Sequence, residues 1–160
     1  MASPMVKQSV EHRMGELGLS LPNVPTPIAN FVPFRRDRDR IYLAGQICEW
    51  NGVVKYRGKL GVEHGLEDGQ EAARICALNL LAALRQACEG SLDRVTACLR
   101  VGGFVNCAAD YQHVPQVING ASNLIHALFG ERGLHARTAV GVASLPQCAA
   151  VEVDAIFAID

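Results

Sequence analysis

The sequence is poor in the features that would tie a chain to a membrane, a nucleic acid, a metal or a nucleotide. No apolar run approaches the roughly 20 residues that span a bilayer. The longest, ICALNLLAAL, is interrupted by Asn79 and stops at Arg85, so no membrane association is expected. Neither sign of charge is in excess: 15 Lys and Arg stand against 16 Asp and Glu, a net charge of −1. That balance removes the electrostatic basis for a polyanion partner. The one dense charge run, RRDRDR (35–40), mixes signs and reads as a solvated turn. Aromatic residues make up only 6% of the chain, and no basic stripe with interleaved rings supports a ribonuclease or other nucleic-acid surface.

The six cysteines (Cys48, Cys76, Cys88, Cys98, Cys107, Cys148) form no C-x-x-C pair, and no continuous apolar secretory segment precedes them. They are expected to be reduced, small and mostly buried in a cytoplasmic protein. Cys107 and Cys148 are the two candidates for a thiol nucleophile. The five histidines (His12, His64, His113, His126, His135) lack ligand spacing, so no metal is expected. Neither G-x-x-x-x-G-K-[ST] nor G-x-G-x-x-G occurs, so no nucleotide cofactor is expected. Internal repeats and low-complexity tracts are absent.

What is present is an ordinary globular composition, 49% apolar over 160 residues, enough for one domain with a segment appended. Residues 7–18 predict a short amphipathic helix ending at Gly18. Pro22, Pro25 and Pro27 then make an extended linker, so 1–26 reads as a helix and linker and 27–160 as the domain. FVPFRR and RIYLAGQIC predict a hairpin, and Asn51-Gly52 a second tight turn. Residues 66–88 form the clearest helix, with acids at its start and Gly90 beyond its end. Its apolar stripe is wide enough to need covering on more than one side. Residues 93–105 alternate, with Val95, Ala97, Leu99 and Val101 on one face, and Gly102-Gly103 predicts a bulge or bend. Residues 110–130 predict a helix with Asp110 near its N-cap and Pro115 in its first turns. Strands at 137–144 and 149–158 follow. The order predicts an α+β sandwich, with both later helices on one face of the sheet.

The last two strands carry the chemistry. Read as an antiparallel hairpin pairing Ser144 with Ala149, they set Gly141 opposite Glu152 and Ala139 opposite Asp154. Arg137 then shares a face with both acids, a face otherwise nearly bare of side chains. Two readings of it stand. It packs on a sister subunit while Arg137 pairs with Glu152 or Asp154. Alternatively it is a small anionic-substrate cleft, where Arg137 grips a carboxylate through its planar fork and an acid handles protons. His135, two residues before Arg137, reaches the same cleft or lies on the surface.

The run from Arg137 through Leu145-Pro146 to VEVDAI (151–156) resembles the C-terminal signature of the RidA (YjgF) family of reactive-intermediate deaminases. IYLAGQI (41–47), EAARICALNLLAAL (71–84) and DRVTACLRVGGFVN (93–106) resemble its central strands and first helix. The likeness covers about residues 27–160. The leading helix and INGASNLIHALFGERGLHAR (118–137) are similar to a longer branch of that family. The resemblance implies a chorismate-mutase-like mixed sheet with two helices on one face, assembled as a homotrimer with clefts between subunits. It implies hydrolysis of small enamine and imino acids to 2-keto acids and ammonia, without a cofactor. The carboxylate-binding arginine falls on Arg137, the water-activating glutamate on Glu152, and the cleft-lining strand on Gly45 and Gln46. Four positions depart from the family pattern. Ala139 stands where cysteine is common, Phe31 where a tyrosine closes the cleft mouth, Ala44 for a serine, and Pro115 for an asparagine of the neighbouring subunit. Such a cleft suits a larger or more apolar imino acid, or binds small carboxylate metabolites without turning them over.

Overall fold

The computed structural model of the chain describes residues 8–160. Helix α1 (Val10–Glu16) is shorter than predicted, and the expected start at Lys7 lies outside the described residues. So short a helix does not hold by itself, and it is fastened to the domain at its first turn. Ser9 caps it by accepting from the His12 amide (3.2 Å), while the Val10 amide and the Ser9 hydroxyl donate to Asp93 at 2.6 and 3.1 Å. Arg85 and the Leu92 amide donate to Glu11 at 3.0 and 3.1 Å, and Val10 and Met14 are buried.

Strands β1 (Phe34–Asp37) and β2 (Arg40–Ile47) form the expected hairpin. A small ribbon follows, β3 (Glu49–Trp50) and β4 (Val53–Val54), closed by Asn51 and Gly52. Both turn residues have positive φ (48° and 87°), as a tight hairpin of matching twist requires. Helix α2 (Leu66–Ala87), strand β5 (Val95–Asn106), helix α3 (Val114–Phe129), strand β6 (Ala136–Val142) and strand β7 (Val151–Ile159) complete the chain. The main sheet runs β1-β2-β7-β5-β6 and is antiparallel except for the β5–β6 pair, which is parallel. Helices α2 and α3 pack on each other and on one sheet face, the mixed α+β arrangement expected. Gly120 lets them approach, because a Cβ there would overlap the Gln70 carbonyl of α2. The core between them and the sheet includes Leu80, Leu84, Ile118, Ile125, Val101 and Phe157, all at most 1% exposed.

Three expectations are corrected. First, β6 and β7 are not a hairpin: β5 lies between them, and segment 143–150 crosses its end. Strand, helix and strand at β5-α3-β6 make a crossover unit whose strands are parallel neighbours. Second, the alternation over 93–105 is broken by register shifts between Val95 and Ala97 and between Cys98 and Arg100. Val95, Cys98 and Val101 are therefore the buried set, and Leu99 is 37% exposed. Gly102-Gly103 lies in regular register. A side chain at Gly102 would meet the Asp154 carboxylate, and one at Gly103 would meet Ile118. Third, α3 begins at Val114 with His113 rather than Asp110 at its N-cap, since Pro115 lacks an amide hydrogen and is accepted only in the first turn. The wide apolar surface of α2 is covered on more than one side, as expected, by the sheet, α3 and the β3–β4 ribbon. The opposite face of the sheet remains open, with Tyr42 and Val140 exposed at 43% and 41%.

Candidate functional site

On the open face, β2 bulges where Ala44 and Gly45 together oppose Asp154. The bulge brings bare backbone against β7, and the Glu152 carboxylate fills the space a Cβ of Gly45 would need. Glu152 and Asp154, two residues apart on one strand, share this face. Burial raises the Glu152 carboxyl above its ordinary range, and the Asp154 charge adds to it. Asp154 is raised by burial too, opposed by the Arg100 charge and the Gly102 amide. A cleft of about 220 Å³ opens over Glu152. Its walls are the proline-rich segment (Pro25, Pro27, Phe31), the β2 strand (Gly45, Gln46, Ile47) and the crossing turn (Pro146, Gln147). The linker is therefore one side of the cleft. Ala44 stands beside it, its amide donating to the Pro33 carbonyl at 2.9 Å.

Arg137 lies on the other side of the sheet. Its register partner is Val101, which in turn pairs with Ala155, and both of these face the helices. The arginine reaches α3: Nη1 donates to Asn119 Oδ1 (2.8 Å) and Ser122 Oγ (3.2 Å), and Nη2 donates to the Pro115 carbonyl (3.2 Å). Ser122 Oγ is 2.9 Å from His135 Nε2, and His135 Nδ1 is 2.7 Å from the Gly133 carbonyl. A second cleft, of about 280 Å³, is lined by Ser122, Leu134, His135 and Arg137. Ala139 is half-buried against the core, on the same face as Val153.

The sequence-predicted residues thus form two groups. Phe31, Ala44, Gly45 and Glu152 come together on the open face. Pro115, Arg137 and Ala139 come together at the β6 edge on the helix side. The predicted sharing of one face by Arg137 and Glu152 is overturned, and among the described residues Arg137 forms no ion pair with either acid. Asn119 and Ser122 were missed as partners of Arg137. Their signal was the pair Asn119 and Ser122, three residues apart and so on one helical face of the segment leading to the arginine.

The family model described as "YjgF/chorismate_mutase-like, putative endoribonuclease" matches residues 11–158. Protein TCP17 of Trypanosoma cruzi is 40% identical over 148 residues, 92% of either chain. The crystal structure of Atu1372, a protein of unknown function from Agrobacterium tumefaciens, superimposes with a TM-score of 0.88 at 41% identity, covering 94% of this chain and 92% of that one. A Shewanella oneidensis structure described as a putative endoribonuclease gives 0.91 at 30% identity, covering 95% and 100%. With a strand-bulge-glutamate cleft, a helix-braced arginine and this extent of similarity, the chain belongs to the YjgF/chorismate mutase-like family.

Proposed function

We propose that the protein hydrolyses small enamine or imino acids to 2-keto acids and ammonia, in clefts completed by a second copy of the chain. The observation that carries this reading is the division of the site. A half-buried glutamate with a raised carboxyl lines an open cleft on one face, while a braced arginine waits at the opposite edge. One chain does not join them. A neighbouring copy seated on the open sheet face brings its own edge to Glu152 and covers Tyr42 and Val140, and a closed ring of three copies is the assembly we infer. Arg137 then binds the substrate carboxylate through donors not already held by α3. Glu152 takes a proton from water as its oxygen adds to the C=N carbon. The resulting amino alcohol collapses, its nitrogen leaving protonated as ammonia. A carboxyl raised above its ordinary range by burial is a better proton acceptor than a free one, and the same group returns the proton to the departing nitrogen.

A second reading, a non-catalytic binding module for small carboxylates, is favoured by Phe31, Ala44, Ala139 and Pro115, none of which offers a side-chain hydrogen bond in the cleft. A ribonuclease reading has less support, since the net charge is −1 and the β1–β2 turn mixes arginines with aspartates. The test is a panel of imino acids released in situ by an amino-acid oxidase, with keto-acid formation followed in time. Acceleration over buffer that is lost in Glu152→Gln supports hydrolysis. Saturable binding of keto acids with no acceleration supports the binding module.

A further inference from the structure

At the β6 edge, a hydrogen-bond chain has its proton directions fixed at both ends. Arg137 can only donate, so Ser122 Oγ accepts from Nη1 at 3.2 Å. The Gly133 carbonyl can only accept, so His135 donates to it through Nδ1 at 2.7 Å. In the neutral ring, Nε2 is then an acceptor, and the Ser122 hydroxyl at 2.9 Å donates to it. A serine within a helix commonly turns its hydroxyl onto the carbonyl one turn back. That of Ser122 is directed to an imidazole instead.

These are the parts of an activated hydroxyl: a nucleophile, a base within hydrogen-bond reach, and a group that orients the base. A guanidinium donating to the nucleophile's own oxygen adds a fourth part, since it stabilises the alkoxide as the proton leaves. Ser122 and His135 are half-buried and border the open cleft of about 280 Å³. Leu134, 62% exposed at its rim, offers an apolar contact of short-chain size.

We propose that Ser122 and His135 form a nucleophile–base pair that transfers acyl groups from short-chain esters, with Arg137 stabilising the oxyanion. As Ser122 Oγ bonds to the ester carbonyl carbon, its proton passes to His135 Nε2 and the carbonyl π pair moves onto oxygen. The oxyanion forms on the carbon that Oγ has attacked, two bonds from Oγ and within reach of the guanidinium. Collapse breaks the bond to the alcohol oxygen, which leaves with the proton from His135. Water then adds to the acyl-serine with His135 again as base, releasing the carboxylic acid and restoring the serine. The sequence consumes water alone. It goes beyond imine hydrolysis, with which it shares only Arg137.

The experiment uses the full chain, p-nitrophenyl butyrate as substrate and a fluorophosphonate as covalent probe. Peptide mass spectrometry is expected to find the phosphonyl group on Ser122. Ser122→Ala and His135→Gln are each expected to lower kcat/KM for the ester by about 10²–10⁴-fold, the range of a positioned base. The affinity of each variant for 2-ketobutyrate is measured alongside. An ester rate that falls only in proportion to that affinity means the two residues merely position Arg137, and overturns the proposal. So does an unlabelled Ser122, or a Ser122→Ala protein that hydrolyses the ester at the parent rate. The two readings fail separately: an absent adduct leaves imine hydrolysis untouched, and absent imine hydrolysis leaves the adduct untouched.

Discussion

Arg137→Ala is expected to weaken small-carboxylate binding far more than it weakens the fold. The guanidinium makes three hydrogen bonds to α3, at 2.8, 3.2 and 3.2 Å, to partners that are half-buried or exposed. Water replaces most of what is lost there, so the net cost to stability is about 1 kcal/mol, or roughly 2–4 °C in Tm for a domain of this size. A bound carboxylate loses a charge-assisted, bidentate contact worth about 1.5–3 kcal/mol, which is roughly ten- to hundredfold in affinity. Arg137→Lys is expected to recover part of it. The ammonium keeps the attraction, but one nitrogen cannot replace the planar fork that meets Asn119, Ser122 and the Pro115 carbonyl together. Calorimetric titration with 2-ketobutyrate, paired with a thermal melt, reads both quantities. An Arg137→Ala protein that melts early yet binds 2-ketobutyrate as well as the parent refutes the clamp.

The open sheet face leads to the expectation of a trimer at micromolar concentration by sedimentation, and a monodisperse monomer contradicts it. Glu152 and Asp154 titrate above their ordinary ranges when folded, so the folded chain holds their protons more tightly than the unfolded one. Their contribution to stability is complete below the unfolded pKa values and is lost as pH rises through the folded ones. Asp154→Asn is accordingly expected to raise Tm near neutral pH and to flatten that decline; an unchanged pH profile of melting speaks against the buried-pair account. All six cysteines are free, four of them buried and Cys148 exposed. Alkylation of the native protein is expected to modify Cys148 first, and denaturation without reductant to expose all six, with protection of any pair counting against it. Gly45→Ala, whose methyl group would meet the Glu152 carboxylate, is expected to abolish imine hydrolysis while the chain still folds; full activity there refutes the bulge's role.

The helices, the two tight hairpins and the order of elements were legible because each has a local cause: periodicity, an Asn-Gly pair, acids at a helix start, glycine beyond its end. Partner choice between strands was not. Strands β6 and β7 are close in sequence and alternate compatibly, so hairpin pairing satisfied every local rule. The deciding signal was less local. The strand-helix-strand succession over β5, α3 and β6 calls for parallel neighbours and leaves β7 to enter on the other side of β5. One misplaced strand moved Arg137 to the wrong face, which is why the residues singled out in the sequence divide into two groups instead of sharing one cleft. The bulges in β5 escaped notice for a related reason, since Leu99 fits an apolar alternation that only the packing of Cys98 and Val101 breaks.

The most direct test of the composite cleft is complementation between two inactive chains. Arg137→Ala and Glu152→Gln proteins are each expected to lose imine hydrolysis. Co-refolded in equal amounts, they reassemble at random, and about a quarter of the interfaces in a closed ring join an intact Arg137 of one copy to an intact Glu152 of the next. The mixture is therefore expected to regain about a quarter of the parent rate. A mixture that stays as inactive as its components, while mass analysis shows the two chains in one assembly, contradicts a site shared between copies.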